Sequence, residues 1–324
     1  MFNNNLDLEM KNCNKIMCVS SFLLFSTLLF SQNERLIIGR TTGKLVLKSN
    51  LEIRTFGFTD ALSEQVTLPG SYISTKEGDS LNIDFWNISQ GNPVSLYCKE
   101  IDFLQRDKKN EIMKQKEPVH HMEHGFYSFQ SNKAGTYLYY SPENYPFNLQ
   151  AGMFGVIVIR PKETDSLSVK PLTEILWCSN EIDTKWHTDD MMGTEYDESN
   201  KPIILPDYKP NYFLINGKTI AKIKGLQSAA HKKETVLLRL ANAGLYLHEI
   251  QFPAKIRLQL ISGNNKALKE FSKGYKVQLQ PGECLELLTS LENTDEKEQI
   301  IYQFINPVSK KRCYKATIPV FNTI

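Results

Sequence analysis

Apolar residues in this chain recur mainly at every second position, in short runs closed by turn-forming residues. Leu81, Ile83 and Phe85 alternate with Asn82 and Asp84, the period of a strand with one face in a core. The preceding Glu77-Gly78-Asp79 reads as a turn in which Gly78 is free to take a positive φ. Leu36 to Ile38 and Leu45 to Leu47 predict earlier strands, and Phe126 to Phe129 a later one. Farther on, Tyr212 to Ile215 runs into Asn216-Gly217, the dipeptide of a tight hairpin turn. Strands are also expected at 235–244 and 247–252, and at Tyr275 to Leu279, which ends in Gln280-Pro281-Gly282-Glu283.

With 324 residues the chain has room for two domains of ordinary size, each with its own core. A charged, serine-containing stretch from Lys162 to Lys170 reads as a linker, giving a first domain at 34–163 and a second at 171–324. A polar stretch from Asp189 to Pro206 reads as a solvated connection, although His187 stands close to Asp189 and Asp190. Lys and Arg number 38 against 36 for Asp and Glu, without a long run of one sign. A nucleic-acid surface is therefore not expected.

The N-terminus has the pattern of a leader. Lys11 and Lys15 precede an uncharged apolar run, Ile16 to Phe30, and Ser31-Gln32-Asn33 follows. That run is short for a membrane span and fits a secretory signal peptide at 1–31, with an uncleaved anchor as the alternative. The expectation is a secreted or periplasmic protein of the cell envelope, without an integral membrane domain once the leader is removed. Four cysteines remain, Cys98, Cys178, Cys284 and Cys313. In an exported chain they predict one or two disulfides, with Cys284 and Cys313 the favoured pair and buried free thiols the alternative.

The stretch Ala134 to Pro161, AGTYLYYSPENYPFNLQAGMFGVIVIRP, resembles the closing hairpin of a cupredoxin domain. Residues 68–87, with Leu68-Pro69-Gly70 and Gly78-Asp79-Ser80-Leu81, are similar to the first plastocyanin-like domain of multicopper oxidases. Tyr212 to Lys218, the Pro281-Gly282-Glu283 turn and the stretch from Glu174 to His187 are similar to second domains of that superfamily. The resemblance implies an all-β protein of two Greek-key cupredoxin-like β-sandwiches with almost no long helix.

In the family, copper ligands follow these same strands, in Ser-Ile-His-Trp-His-Gly and Tyr-His-Ser-His or Tyr-His-Cys. The matching residues here are Tyr97 and Lys99 for the first pair and Tyr140 and Pro142 for the second, with Ser141 at the thiolate position. Only Met153, where a weak axial ligand would sit, keeps its type. Pro142 has no donor, a Tyr phenol titrates near 10, and Lys99 would put a cation where a metal belongs. No copper or other cofactor is therefore expected at these positions, and a binding or scaffold role with a protein partner or in an oligomer is expected rather than redox catalysis. The rival reading is a copper-binding protein or copper-dependent oxidoreductase. Its ligands would be His120, Met122 and His124, which on a strand would share one face, with His121 on the other. The plainer reading of that cluster is a polar surface turn. His248 falls where nitrite-reductase-like relatives place a histidine reaching a neighbouring subunit's copper, but without partners from the first domain it reads as a core or surface residue. No nucleophile elbow, phosphate loop or paired-cysteine zinc spacing is present.

Overall fold

The structure is a computed structural model, described for residues 34–48, 51–90, 93–162, 173–193, 204–228, 235–263, 269–271, 275–292 and 294–322. It is all-β. The first half contributes β1 (Glu34–Lys48), β2 (Leu51–Thr59), β3 (Tyr72–Lys76), β4 (Ser80–Asn87), β5 (Tyr97–Cys98), β6 (Leu104–Arg106), β7 (His124–Gln130), β8 (Gly135–Tyr140) and β9 (Phe154–Arg160), with a single-turn helix α1 (Phe147–Ala151) between the last two. These strands form two sheets, ordered β2-β1-β4-β7-β6 and β3-β9-β8-β5.

The second half contributes β10 (Thr173–Ile182), β11 (Tyr212–Ile215), β12 (Lys218–Thr219), β13 (Gln227–Ser228), β14 (Thr235–Asn242), β15 (Leu247–Gln251), β16 (Arg257–Gly263), β17 (Lys269–Phe271), β18 (Lys276–Leu279), β19 (Cys284–Ser290), β20 (Gln299–Ile305), β21 (Arg312–Pro319) and β22 (Phe321–Asn322). A seven-stranded sheet, β12-β11-β10-β14-β19-β16-β17, faces a four-stranded one, β18-β15-β20-β21. Among the described residues no sheet mixes strands from the two halves. The linker expected from Lys162 to Lys170 lies, from residue 163 on, outside the described residues, and so does the leader.

The alternation read from the sequence accounts for each core. Leu81, Ile83 and Phe85 of β4 pack with Phe58 of β2 and Tyr127 and Phe129 of β7, in the same sheet, against Tyr139 and Ile157 from across the first sandwich. Leu238, Leu240, Leu285 and Leu287 do the same in the second, opposite Ile250, Leu279, Tyr302 and Phe304. Asn216 and Gly217 take φ of 49° and 68°, the left-handed pair that a two-residue hairpin turn requires.

A third apolar layer joins the halves. β9 reads FGVIVIR without alternation because both its faces are covered: Ile157 and Ile159 enter the first core, whereas Phe154, Val156 and Val158 meet Cys178, Ile182, Leu214, Ala241 and Cys284 of the second half. On β14 and β19 the residues alternating with the leucines turn to this junction and include Arg239 and Glu286, 4% and 5% exposed. Arg239 donates to Glu286 Oε1, and so does Thr136 of β8, at 2.6 Å; Ser262 donates to Glu286 Oε2 at 2.7 Å. Arg239 Nη2 also reaches Glu174 Oε2 at 3.2 Å, at the half-exposed edge of the junction.

A buried ion pair is costly to break from one side, because the surviving charge stays desolvated. Glu286→Ala is expected to lower unfolding free energy by roughly 3 kcal/mol in denaturant titrations. Replacing Arg239 and Glu286 together by leucine should cost much less than the sum of the two single changes. Additive losses would show that the pair is not coupled.

Candidate functional site

Strands β5 and β8 are hydrogen-bonded neighbours, and their register sets Tyr97 opposite Tyr140 and Cys98 opposite Tyr139. The two stretches that resemble copper-ligand motifs thus meet in space. The rings of Tyr97 and Tyr140 pack edge to face at 5.3 Å between centroids, and Tyr145 continues the row at 6.2 Å from Tyr140. Alternation along β8 sends Tyr139 and Tyr140 to opposite faces. Just past the strand, Ser141 is fully buried and Pro142 half-buried.

Ser141 is the centre of a hydrogen-bond knot. Its hydroxyl donates to Glu143 Oε2 at 2.6 Å and accepts from Asn148 Nδ2 at 3.1 Å. Glu143 in turn accepts from the backbone N–H of Ser95 at 3.0 Å and from the Ser95 hydroxyl. The segment before β5 and the segment after β8 are therefore tied through one carboxylate.

Copper, which the fold family implies, does not fit these donors. The Ser141 hydroxyl is committed on both sides and is too weakly acidic to stand in for a thiolate. Burial, with Tyr97 and Tyr145 alongside, pushes the Tyr140 phenol up to about 12, so it stays protonated at neutral pH. Lys99 is exposed at the end of the same strand pair and opposes a cation, and Met153 is fully buried in the first core. The nearby Cys98 thiol is pushed up to about 12, chiefly by burial. Among the described residues no group of three or more His, Cys, Asp or Glu is placed to hold a metal ion.

A cavity of about 360 Å³ opens beside this face, between the halves. The first half lines it with Lys99, Glu100, Tyr140 and Tyr145, and the second closes it with Gly244 and the turn from Gln280 to Glu283. Gly282 takes φ of 76° in that turn, and the Gln280 N–H donates to Glu283 Oε2 at 2.9 Å.

The histidine cluster does not form the strand face its spacing allows. The Glu123 N–H closes a turn onto the His120 carbonyl and Met122 takes φ of 62°, so only His124 enters β7. His121 is held by the Ser89 carbonyl at 2.9 Å. His124 is held by Asp84 at 2.6 Å and stacks on Trp86 at 5.3 Å. Left-handed backbone at Met122 breaks the period-2 geometry on which a shared face depends.

His248 is fully buried within the second half. Its Nδ1 lies 2.8 Å from Ser179 Oγ, which is 2.7 Å from the Tyr302 hydroxyl, and its Nε2 lies 3.3 Å from Glu181 Oε2. Glu181 Oε1 also accepts the N–H groups of Leu245 and Tyr246, the latter at 3.0 Å. The expected Cys284–Cys313 bridge is absent: Cys284 is buried at the junction on β19, Cys313 is exposed on β21 of the other sheet, and both are free. Cys178 and Cys284 flank Ala241 on three adjacent strands, too far apart for a disulfide as well.

The sequence reading missed Glu143, Tyr145 and Glu181. Glu143 and Tyr145 stand in the quoted SPENYP stretch, but the partners of Glu143 and Glu181 are 48 and 67 residues away.

Two β-sandwiches of this topology, joined face to face, define a cupredoxin-like protein. Residues 60–164 match the family model described as Multicopper oxidase. The blue copper oxidase from Nitrosomonas europaea is similar in structure, with a TM-score of 0.64 and 18% identity over 88% of this chain and 86% of that one. The copper nitrite reductase of the same organism gives 0.62 and 17% over 90% and 94%. The multicopper oxidase mgLAC gives 0.62 and 17% over 89% and 86%. No curated protein sequence matches.

Burial holds His248 and His187 below the usual histidine range despite their hydrogen-bond partners, so both are neutral when folded. The unfolded chain binds the additional protons below about pH 6.5, so stability falls as pH falls through that value. Denaturation midpoints should therefore drop between about pH 7.5 and about pH 5.5, and His248→Gln should flatten the slope. An unchanged slope would mean that His248 binds protons equally in the folded and unfolded states.

Proposed function

We propose that this chain is an exported binding or scaffold protein of the cell envelope that uses a multicopper-oxidase-like fold without its copper chemistry. The observation that carries the reading is the hydrogen-bond knot of Ser141, Glu143, Ser95 and Asn148 beside the Tyr97–Tyr140 pair. It occupies the joint between the two ligand-like motifs with groups that hydrogen-bond to one another. The N-terminal pattern supports export, and the cleft between the halves offers a place for a partner molecule to bind. Among the described residues no helix is long and apolar enough to cross a membrane.

The test is metal content. Purified, tag-free protein loaded with copper and desalted should retain only substoichiometric metal, remain colourless and show no oxidase turnover. Stoichiometric copper lost on Tyr97→Phe or Tyr140→Phe would overturn the reading. Copper lost only on replacing His120, Met122 or His124 would establish the divergent-site alternative instead.

A further inference from the structure

The lining of the inter-half cavity narrows what it accepts. Lys99 stands beside Glu100, with Glu283 across the cleft, so both charge signs are present. A cation meets the ammonium and an anion meets the carboxylates, and neither sign is selected. A wholly apolar ligand would leave Glu100, Gln280 and Lys99 facing it without replacement hydrogen bonds, which is costly. Yet Leu138, Leu149 and Pro281 form apolar wall, and Tyr140 and Tyr145 add ring surface at the mouth, where Tyr145 is 57% exposed. One ligand class meets all of these demands: a neutral ring bearing many hydroxyls at its edge and C–H groups on its faces. The hydroxyls both donate and accept, suiting carboxylate, amide and ammonium together, and the C–H faces lie against tyrosine rings.

We infer that this cleft, with Tyr140 and Tyr145 at its mouth and Lys99, Glu100 and Gln280 in its lining, binds a neutral saccharide. The volume of about 360 Å³ sits at the small end of ligand pockets and suits one or two sugar rings. The row of Tyr97, Tyr140 and Tyr145 extends the aromatic surface beyond the cavity, so a longer glycan has a path out along the first half. Gly282 contributes by its turn: positive φ there lets the Gln280–Glu283 segment cap the cleft from the second half. The inference rests on the binding-protein reading and gives it a ligand class.

Isothermal titration of the full, copper-free protein with maltose, cellobiose and N,N′-diacetylchitobiose tests it. At least one should bind at millimolar concentration or better. Tyr145→Ala, at an exposed position, should weaken that binding roughly tenfold, the value of an aromatic contact of about 1.4 kcal/mol, with no shift in melting temperature. Gln280→Ala should weaken it independently. Binding of none of the three sugars, or binding unchanged in both variants, would overturn the inference while leaving the binding-protein reading in place. Stoichiometric copper lost on Tyr140→Phe would overturn both.

Discussion

The sheet made by β3, β9, β8 and β5 has no solvent face at its two central strands, β8 and β9, and this constraint organises the molecule. One side closes the first core, and the other is pressed onto β10, β14 and β19 of the second half. A strand pair buried on both faces must be apolar at successive positions, as β9 is. It must also pair any polar group it meets, as Thr136 does with Glu286 and Arg239. Because the junction is a packed apolar layer with a buried ion pair, β8 is fixed relative to both halves. Its end, at Tyr140, is where the packing stops and the cleft opens. The geometry of the candidate site follows from where this layer runs out.

A metal site would tie strands together through its ligands and contribute to folding. Here the same joint is made by protein groups alone. Glu143 accepts from both the backbone and the side chain of Ser95 and from Ser141, while Asn148 donates to the Ser141 hydroxyl from α1. Such a carboxylate, fed by several donors, is a stable substitute because charge-assisted hydrogen bonds are strong at a buried site. The hydroxyl at the thiolate position donates its one proton to Glu143 and accepts from Asn148, and it remains a neutral, hard oxygen that does not replace a thiolate. The rings of Tyr97 and Tyr140 fill the neighbouring space by edge-to-face contact.

What the sequence revealed and what it hid divide along a physical line. Strand alternation, the Asn216-Gly217 turn and the doubled motifs are local signals, and the fold they imply is the one observed. That Tyr97 and Tyr140 would face each other was implicit in treating them as replacements in two paired motifs. The partners of Glu143 and Glu181, the meeting of Tyr145 with Gln280 across the cleft, and the separation of Cys284 from Cys313 are set by long-range packing. Spacing carries no record of these. At His120 to His124 the chain turns, as the plainer reading has it, and the left-handed backbone at Met122 interrupts the shared strand face that the rival reading needs.

Residue type alone would also mislead in the second half. Ser179, His248 and Glu181 are the residue types of a nucleophilic triad, within hydrogen-bond reach of one another. All three are fully buried, and Tyr302 occupies the remaining side of the Ser179 hydroxyl. A nucleophile needs room for a reacting atom about 3 Å away, together with donors for the developing charge. Neither is present: the donors around Glu181 are the N–H groups of Leu245 and Tyr246, aimed at the acid itself. Gly244 shows how closely the space is filled, since a Cβ there would lie 2.1 Å from Glu181 Oε2. Its missing side chain lets the buried acid hold the segment that leads into β15, and the same glycine lines the cleft on its other side. The network therefore fixes the wall of the cleft, and its chemistry stays sealed behind that wall.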